Sequence, residues 1–192
     1  MKASIYFLLF ILFACKPTTT SGDSSTQAET ISPSVEIIND TVAMTKTVKE
    51  FLTWYKNNYT QTNSFGFTYQ DKQGNYHVSV QQGEEYLKYL KSSGYISDVY
   101  VNLWMQYFKD KSDYLEKNPQ NEGPPEGFEF DLVLITQEPE LVFKEIEKMK
   151  STVIERKGDK AILQIDGLGY NIDLSKENGK WMIEYIATEN YD

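Results

Sequence analysis

The chain has 192 residues, of which 24% are charged, and its formal net charge at pH 7 is −9. This acidity argues against nucleic acid and anionic lipid surfaces as partners of the folded part, and its simplest use is to keep the protein in solution. One histidine and one cysteine exclude metal sites built on several imidazoles or thiolates, so we expect no metal and no cofactor.

The N-terminus has the pattern of a bacterial export signal. A lysine precedes an apolar run, Ile5–Ala14, which is about half the ~20 residues of a membrane-spanning helix. The segment Leu12–Cys15 resembles the lipobox of bacterial lipoproteins, whose cysteine is acylated after cleavage in front of it. Since Cys15 is the only cysteine, a lipid anchor explains it better than an ordinary signal peptide with an incidental thiol. We predict removal of residues 1–14 and membrane attachment through a diacylglycerol on Cys15.

The segment that follows is predicted to be a flexible tether. Residues 15–39 comprise the lipidated cysteine and a stretch rich in Thr, Ser, Pro and acid, with no apolar periodicity. Such a stretch has a root-mean-square span of roughly 25–30 Å. In enteric bacteria, an aspartate directly after the acylated cysteine resembles a signal for retention in the inner membrane, and this chain has Lys16 at that position. The lipoprotein resemblance therefore implies a location in the cell envelope, and within it the outer membrane.

Residues 40–192 are predicted to form a single domain, which begins with a helix near 41–59 capped by Asp40 or Thr41. Trp54 lies on the flank of this helix's apolar stripe, where a tryptophan either covers the edge of a core or lines a cleft. The stripe itself consists of Met44, Val48, Phe51, Leu52, Tyr55 and Tyr59.

The middle of the chain alternates between strand and helix patterns. Residues 65–80 read as two strands joined by a turn at 71–75, with His77 on the solvated polar face. A helix is predicted over 84–93, and Ser97 is expected to cap a longer one. After an irregular loop at 117–128, a short helix is predicted over 141–150. The longer helix has an apolar stripe of Tyr100, Leu103, Trp104, Tyr107, Phe108 and Leu115.

The C-terminal third contains four β-like runs separated by Gly158-Asp159, Gly167 and Asn178-Gly179. The run at 161–165 alternates apolar and polar residues, and the closing run at 181–186 does the same, with Trp181, Ile183 and Tyr185 on one face. These patterns predict an antiparallel meander with one apolar face, which helices must cover. The expected fold class is α+β, with N-terminal helices packed on a curved C-terminal antiparallel sheet.

Three segments carry a family resemblance: FLTWY at 51–55, FDLVLITQE at 130–138 and NGKWMIEYI at 178–186. They are similar to the helix start, a short acidic segment and the closing strand of a bacterial lipoprotein family, the domain-of-unknown-function family 3828. The resemblance implies the nuclear transport factor two-like (cystatin-like) fold, a cone in which a long helix packs in a curved sheet and a pocket often lies at the open end. It implies no reaction.

Three functions are compatible with the sequence, which lacks a nucleophile elbow, a P-loop and a dinucleotide-binding motif. The first, which we favour, is a non-catalytic module that binds a small apolar or aromatic ligand. The second is an accessory or immunity-type protein that binds another envelope protein, and the third is a carboxylate-based hydrolase. Aromatic residues make up 14% of the chain, and such residues suit pockets and interfaces as well as cores. The candidate ligand-binding residues are Trp54, Tyr55, Trp104, Tyr107, Trp181 and Tyr185.

Overall fold

The structure is a computed structural model that describes residues 33–189, with side chains described from residue 38 onward. The predicted signal peptide, Cys15 and the tether as far as residue 32 lie outside the described residues. In chain order the elements are α1 Pro33–Asn57, α2 Tyr59–Thr62, β1 Thr68–Gln70, β2 Tyr76–Val78, α3 Val80–Lys91, α4 Asp98–Lys117, α5 Pro139–Glu145, a 3-10 turn Ile146–Lys148, β3 Lys150–Lys157, β4 Lys160–Asp166, β5 Tyr170–Glu177 and β6 Lys180–Thr188.

The C-terminal strands form one antiparallel meander in the order β3-β4-β5-β6, joined by short turns. Helix α1 packs against β6 and β3, and α4 packs against β6, α3 and β2. Ala161, Leu163 and Ile165 of β4 are buried, as their alternation predicts. The predicted α+β class, with N-terminal helices packed on a C-terminal antiparallel sheet, is confirmed.

Helix α1 begins at Pro33, inside the segment predicted to be tether, and not near residue 41. Proline fits the first turn of a helix because its fixed φ is already helical and its missing N–H would have no partner there. The prediction that Asp40 or Thr41 caps this helix is therefore wrong. The apolar stripe from Met44 to Tyr55 is buried as predicted, whereas Tyr59 follows the end of α1 and belongs to α2.

The predicted strand pair forms, as the short hairpin of β1 and β2. Asp71 organises its turn, because one carboxylate oxygen accepts hydrogen bonds from the backbone N–H groups of Gln73 and Asn75. His77 is partly exposed, in keeping with its predicted place on the polar face, and its Nε2 lies 3.1 Å from the Asp71 carboxylate.

Helix α3 begins at Val80, four residues before its predicted start, because Ser79 caps it by accepting a hydrogen bond from the N–H of Gln82. Gly83 lies within this helix, and a Cβ at that position would come within 2.7 Å of the Phe108 ring of α4. A glycine therefore permits the close packing of the two helices. The predicted cap of α4 is confirmed, since Ser97 Oγ accepts from the N–H of Tyr100 at 3.2 Å.

Strand β6 departs from strict alternation. Asp173 of β5 pairs with Tyr185, whereas its neighbour Leu174 pairs with Ile183, so Glu184 is an extra residue in β6. This bulge reverses the alternation beyond it and buries Ile186 in place of Tyr185. The prediction that Tyr185 shares the buried face of Trp181 and Ile183 is therefore wrong.

Candidate functional site

An apolar pocket of about 250 Å³ lies between α4 and the end of β6. Three of the six predicted ligand-binding residues, Trp104, Tyr107 and Tyr185, converge in its wall. The sequence prediction did not include the other four residues, which extend the apolar surface around these rings. The α4–β6 pocket, as we call it, is lined by Leu103, Trp104, Tyr107, Phe130, Ile135, Tyr185 and Ala187.

Helix α4 supplies one wall because Leu103, Trp104 and Tyr107 are neighbours at helical spacing. The ring of Tyr107 meets that of Trp104 edge to face, with 5.0 Å between centroids. Its hydroxyl donates to the carbonyl of Gly127 at 2.6 Å, which ties the loop before Phe130 to the helix. Both rings are partly buried, so their positions are fixed while a surface remains free for contact.

The opposite wall depends on the bulge in β6. Because Glu184 adds one residue to the strand, Tyr185 and Ala187 point away from the buried side chain of Ile186 and line the pocket. Tyr185 is 40% exposed and Leu103 is 49% exposed, so the pocket opens to solvent between them. A ligand could therefore enter without any rearrangement of the core.

Ile135 completes this pocket from a strained backbone position. Its φ is +50°, a left-handed conformation that a β-branched residue rarely adopts. The turn around Ile135 is closed by a hydrogen bond of 2.9 Å from the backbone N–H of Asp131 to the carbonyl of Thr136. The Tyr170 hydroxyl also donates to the carbonyl of Leu134 in this turn. Strain of this kind, worth about 1–3 kcal/mol, persists where surrounding contacts fix the conformation and is concentrated at functional sites.

A second pocket, of about 380 Å³, shares Phe130 with the first. Asp131 contributes a carboxylate to its lining, and Glu129 is exposed beside it. We call it the Asp131 pocket. Its aromatic lining residues are Tyr55, Tyr59, Phe67, Tyr86, Phe128 and Phe130.

Asp131 is a partly buried acid that accepts three hydrogen bonds. One carboxylate oxygen accepts from the N–H groups of Val133 and Leu134 at 3.0 and 2.7 Å, and the other accepts from the Tyr55 hydroxyl at 2.6 Å. Burial raises the pKa of Asp131 above its ordinary value, and these hydrogen bonds offset only part of that rise. Tyr55, a predicted ligand-binding residue, is almost fully buried and anchors this acid.

Trp54 lies apart from both pockets. It lines an open groove of about 740 Å³ along the outer face of α1, together with Tyr95 and polar side chains of the helix. Its indole is tilted against the ring of Tyr89 with 5.4 Å between centroids. Trp54 thus combines the two possibilities that its flank position left open, since it packs against the core beside Phe51 and lines a groove that is separate from the pocket containing Trp104.

Trp181 does not belong to a pocket wall: it is 2% exposed and forms part of a buried ionic cluster. Its Nε1 donates to Asp40 at 3.2 Å, and the same carboxylate accepts from Arg156 at 2.5 Å and from Lys176 at 2.9 Å. Both cations also lie over the Trp181 ring, at 5.8 and 5.6 Å from it. The structure thus corrects the prediction that Trp181 contacts a ligand, because its ring and its N–H are both occupied within the core.

Carboxylates also converge on β3, β5 and β6 of the sheet. Asp173, Glu155 and Glu184 line a pocket of about 230 Å³, where Lys160 pairs with Glu184 at 3.1 Å. Burial and the nearby Glu184 charge raise the pKa of Asp173. This is the feature that a carboxylate-based reaction would use. Within residues 38–189, no group of three or more His, Cys, Asp or Glu residues has an arrangement able to hold a metal ion.

Of the lining residues that the sequence did not predict, Phe130, Ile135 and Asp131 lie in the 130–138 segment. That segment stood out for its family resemblance, but no periodicity marked Phe130 and Ile135 as lining residues or Asp131 as a buried acid.

No helix in the described part of the chain combines the length and apolar character required to cross a membrane. No family model, curated protein or solved structure matches the chain.

Proposed function

We propose that this protein is an exported, lipid-anchored module that binds a small apolar or aromatic ligand in the α4–β6 pocket and catalyses no reaction. The observation that carries the proposal is the convergence of Trp104, Tyr107 and Tyr185 on one apolar pocket that opens to solvent. These residues come from a helix and a strand far apart in sequence. Concave sites lined by aromatic side chains are typical of small-molecule binding.

The size and chemistry of the pocket define the ligand class. An apolar cavity of about 150 Å³ holds a benzene ring, so about 250 Å³ suits a substituted single ring or a compact aliphatic group. Among residues 38–189, none that lines the pocket is charged, and the hydroxyl groups of the lining belong to Tyr107 and Tyr185. The Tyr107 hydroxyl already donates to Gly127. The ligand we propose is therefore uncharged.

Trp104→Ala should weaken the binding of toluene by about tenfold, because it removes the largest ring of the pocket wall. The matched control is Trp54→Ala, which removes the same side chain from the separate groove along α1 and should leave the affinity unchanged. Titration followed by NMR chemical shifts measures both dissociation constants. Equal affinities for wild type and Trp104→Ala would show that this pocket is not the binding site.

The anchor is tested separately. Cys15→Ser should abolish acylation and release the protein from membranes, because the thiol is the only proposed site of lipid attachment. Membranes from cells that express either form are washed with carbonate and probed for the protein. Retention of Cys15→Ser in the washed membranes would contradict the lipoprotein assignment and would leave the pocket assignment untouched.

A second candidate function, binding of an envelope protein, is favoured by the rim of the same pocket. Leu103 is 49% exposed and lines the pocket with the exposed ring of Tyr185, and Val99, one turn earlier on α4, is 43% exposed. A partner that inserts an apolar side chain between them would use the pocket as a docking point. In that case Trp104→Ala would weaken binding of the partner, and toluene would compete with it.

A further inference from the structure

The Asp131 pocket has a charge pattern that the proposed function does not use. The described residues that line it include the carboxylates of Asp131 and Glu129 and no Lys, Arg or His. Across residues 38–189, no cationic nitrogen lies within 4.0 Å of the Asp131 carboxylate. Burying a charge is costly unless that charge is paired. The pocket therefore contains a partly buried acid, Asp131, that forms no ion pair with any of the described residues.

The hydrogen bonds of Asp131 leave room for such a counter-charge. An ionised carboxylate offers about four acceptor positions, and Asp131 uses three, two of them on the oxygen that faces the Val133 and Leu134 amides. From the described residues, the other oxygen accepts one hydrogen bond, that of the Tyr55 hydroxyl. Burial raises the pKa of this acid, and the hydrogen bonds from Tyr55, Leu134 and Val133 offset only part of that rise. A bound cation would reverse that effect.

The remaining lining suits an organic cation better than a metal ion. The rings of Tyr59, Phe67 and Phe128 are partly exposed, and that of Tyr55 is buried. Tyr55 and Tyr59 pack edge to face with 5.8 Å between centroids, and Phe67 and Phe128 are tilted with 5.6 Å between centroids, so the rings of each pair are held at an angle to one another. Aromatic faces attract cations, and cages of such rings recognise quaternary ammonium groups.

We propose that the Asp131 pocket is a second binding site, specific for an organic ammonium ion of about the size of choline, with Asp131 as its counter-charge and the Tyr59, Phe67 and Phe128 rings as its cage. A volume of about 380 Å³ lies in the range of small-molecule sites. The polar lining residues Asn63 and Gln137 supply partners for a hydroxyl on the ligand. This site is independent of the α4–β6 pocket, although the two share Phe130.

The test compares choline with 3,3-dimethyl-1-butanol, which has nearly the same shape and no charge. The full chain is titrated with each at constant ionic strength, and binding is followed through the NMR signals of the tyrosine rings. Choline should bind about tenfold more tightly than the alcohol, because only choline gains from Asp131 and the ring faces. Equal affinities, or no saturable binding of choline, would overturn the proposal.

Two variants identify the site. Asp131→Asn removes the charge with little change in side-chain size and should weaken choline binding about tenfold. An amide cannot satisfy the N–H donors and the Tyr55 hydroxyl as the carboxylate does, so this variant can disturb the 131–136 turn. Tyr59→Leu leaves that turn intact and should weaken choline binding about threefold to tenfold through loss of one ring. Wild-type affinity for choline in Tyr59→Leu would overturn the assignment, as would loss of choline binding in Trp104→Ala, which lies in the other pocket.

Discussion

Phe51→Ala is expected to lower the free energy of unfolding by about 3–5 kcal/mol, a large part of the 5–15 kcal/mol typical of a domain. Phe51 is fully buried on α1, the helix that packs on β6 and β3. Its ring stacks against Trp54 and Tyr55 with about 6.4 and 6.3 Å between centroids. Truncation therefore leaves a cavity bounded by rigid rings, which relax little to fill it.

Equilibrium unfolding in urea measures this loss, and Trp54→Ala provides the comparison. Trp54 is partly exposed and faces the groove along α1, so its removal should cost less than that of Phe51 although its side chain is larger. Equal and large losses would make Trp54 a core residue. A negligible loss for Phe51→Ala would contradict the packing of α1 on the sheet.

Asp40→Ala is expected to destabilise the protein by about 2–4 kcal/mol, because it removes the anion from the buried cluster around Trp181. Arg156 and Lys176 would then remain beside each other over one indole ring with no counter-charge. Their side chains are about one quarter exposed, so solvent screens part of the effect. The control is Asp98→Ala, which breaks the ion pair of a highly exposed acid with Lys91 and should cost less than about 1 kcal/mol.

The contribution of Asp40 to the free energy of unfolding should depend on pH. Burial alone would raise the pKa of Asp40, but hydrogen bonds from Lys176 and Trp181 and the charges of Arg156 and Lys176 hold it below its ordinary value of 3.8. Because the folded pKa is depressed, the charged acid stabilises the fold above pH 3.8, and this stabilisation is lost as the pH falls below that value. The difference in unfolding free energy between wild type and Asp40→Ala should therefore shrink on acidification. A constant difference would show that charge is not the origin of the effect.

Periodicity explains why much of the fold could be predicted from the sequence. The stripe from Met44 to Tyr55 and the alternation of Ala161, Leu163 and Ile165 each follow from burial of one face of a regular element. The cap at Ser97 follows from local hydrogen bonding. Asp40 was wrongly predicted as a helix cap because the residue types that cap helices are also found inside them. Its partners lie on β3, β5 and β6, and local sequence does not indicate such distant contacts.

The pockets depend on non-local features that have no periodic signal. The bulge at Glu184 redirects Tyr185, and the left-handed backbone at Ile135 directs a side chain from an irregular loop. Aromatic residue type alone could not separate Trp104, which lines a pocket, from Trp181, which is buried against charged groups. Three of the four aromatic residues of the α4–β6 pocket were therefore predicted from the sequence, and neither of the loop residues Phe130 and Ile135 was.

The most direct test of ligand binding in the α4–β6 pocket is a set of intermolecular nuclear Overhauser effects between bound toluene and the methyl groups of the protein. We expect contacts from toluene to Ile135, Ala187 and Leu103, which line the pocket beside Trp104. Contacts confined to Val42, on the groove along α1, would contradict this assignment, as would the absence of contacts at a saturating toluene concentration.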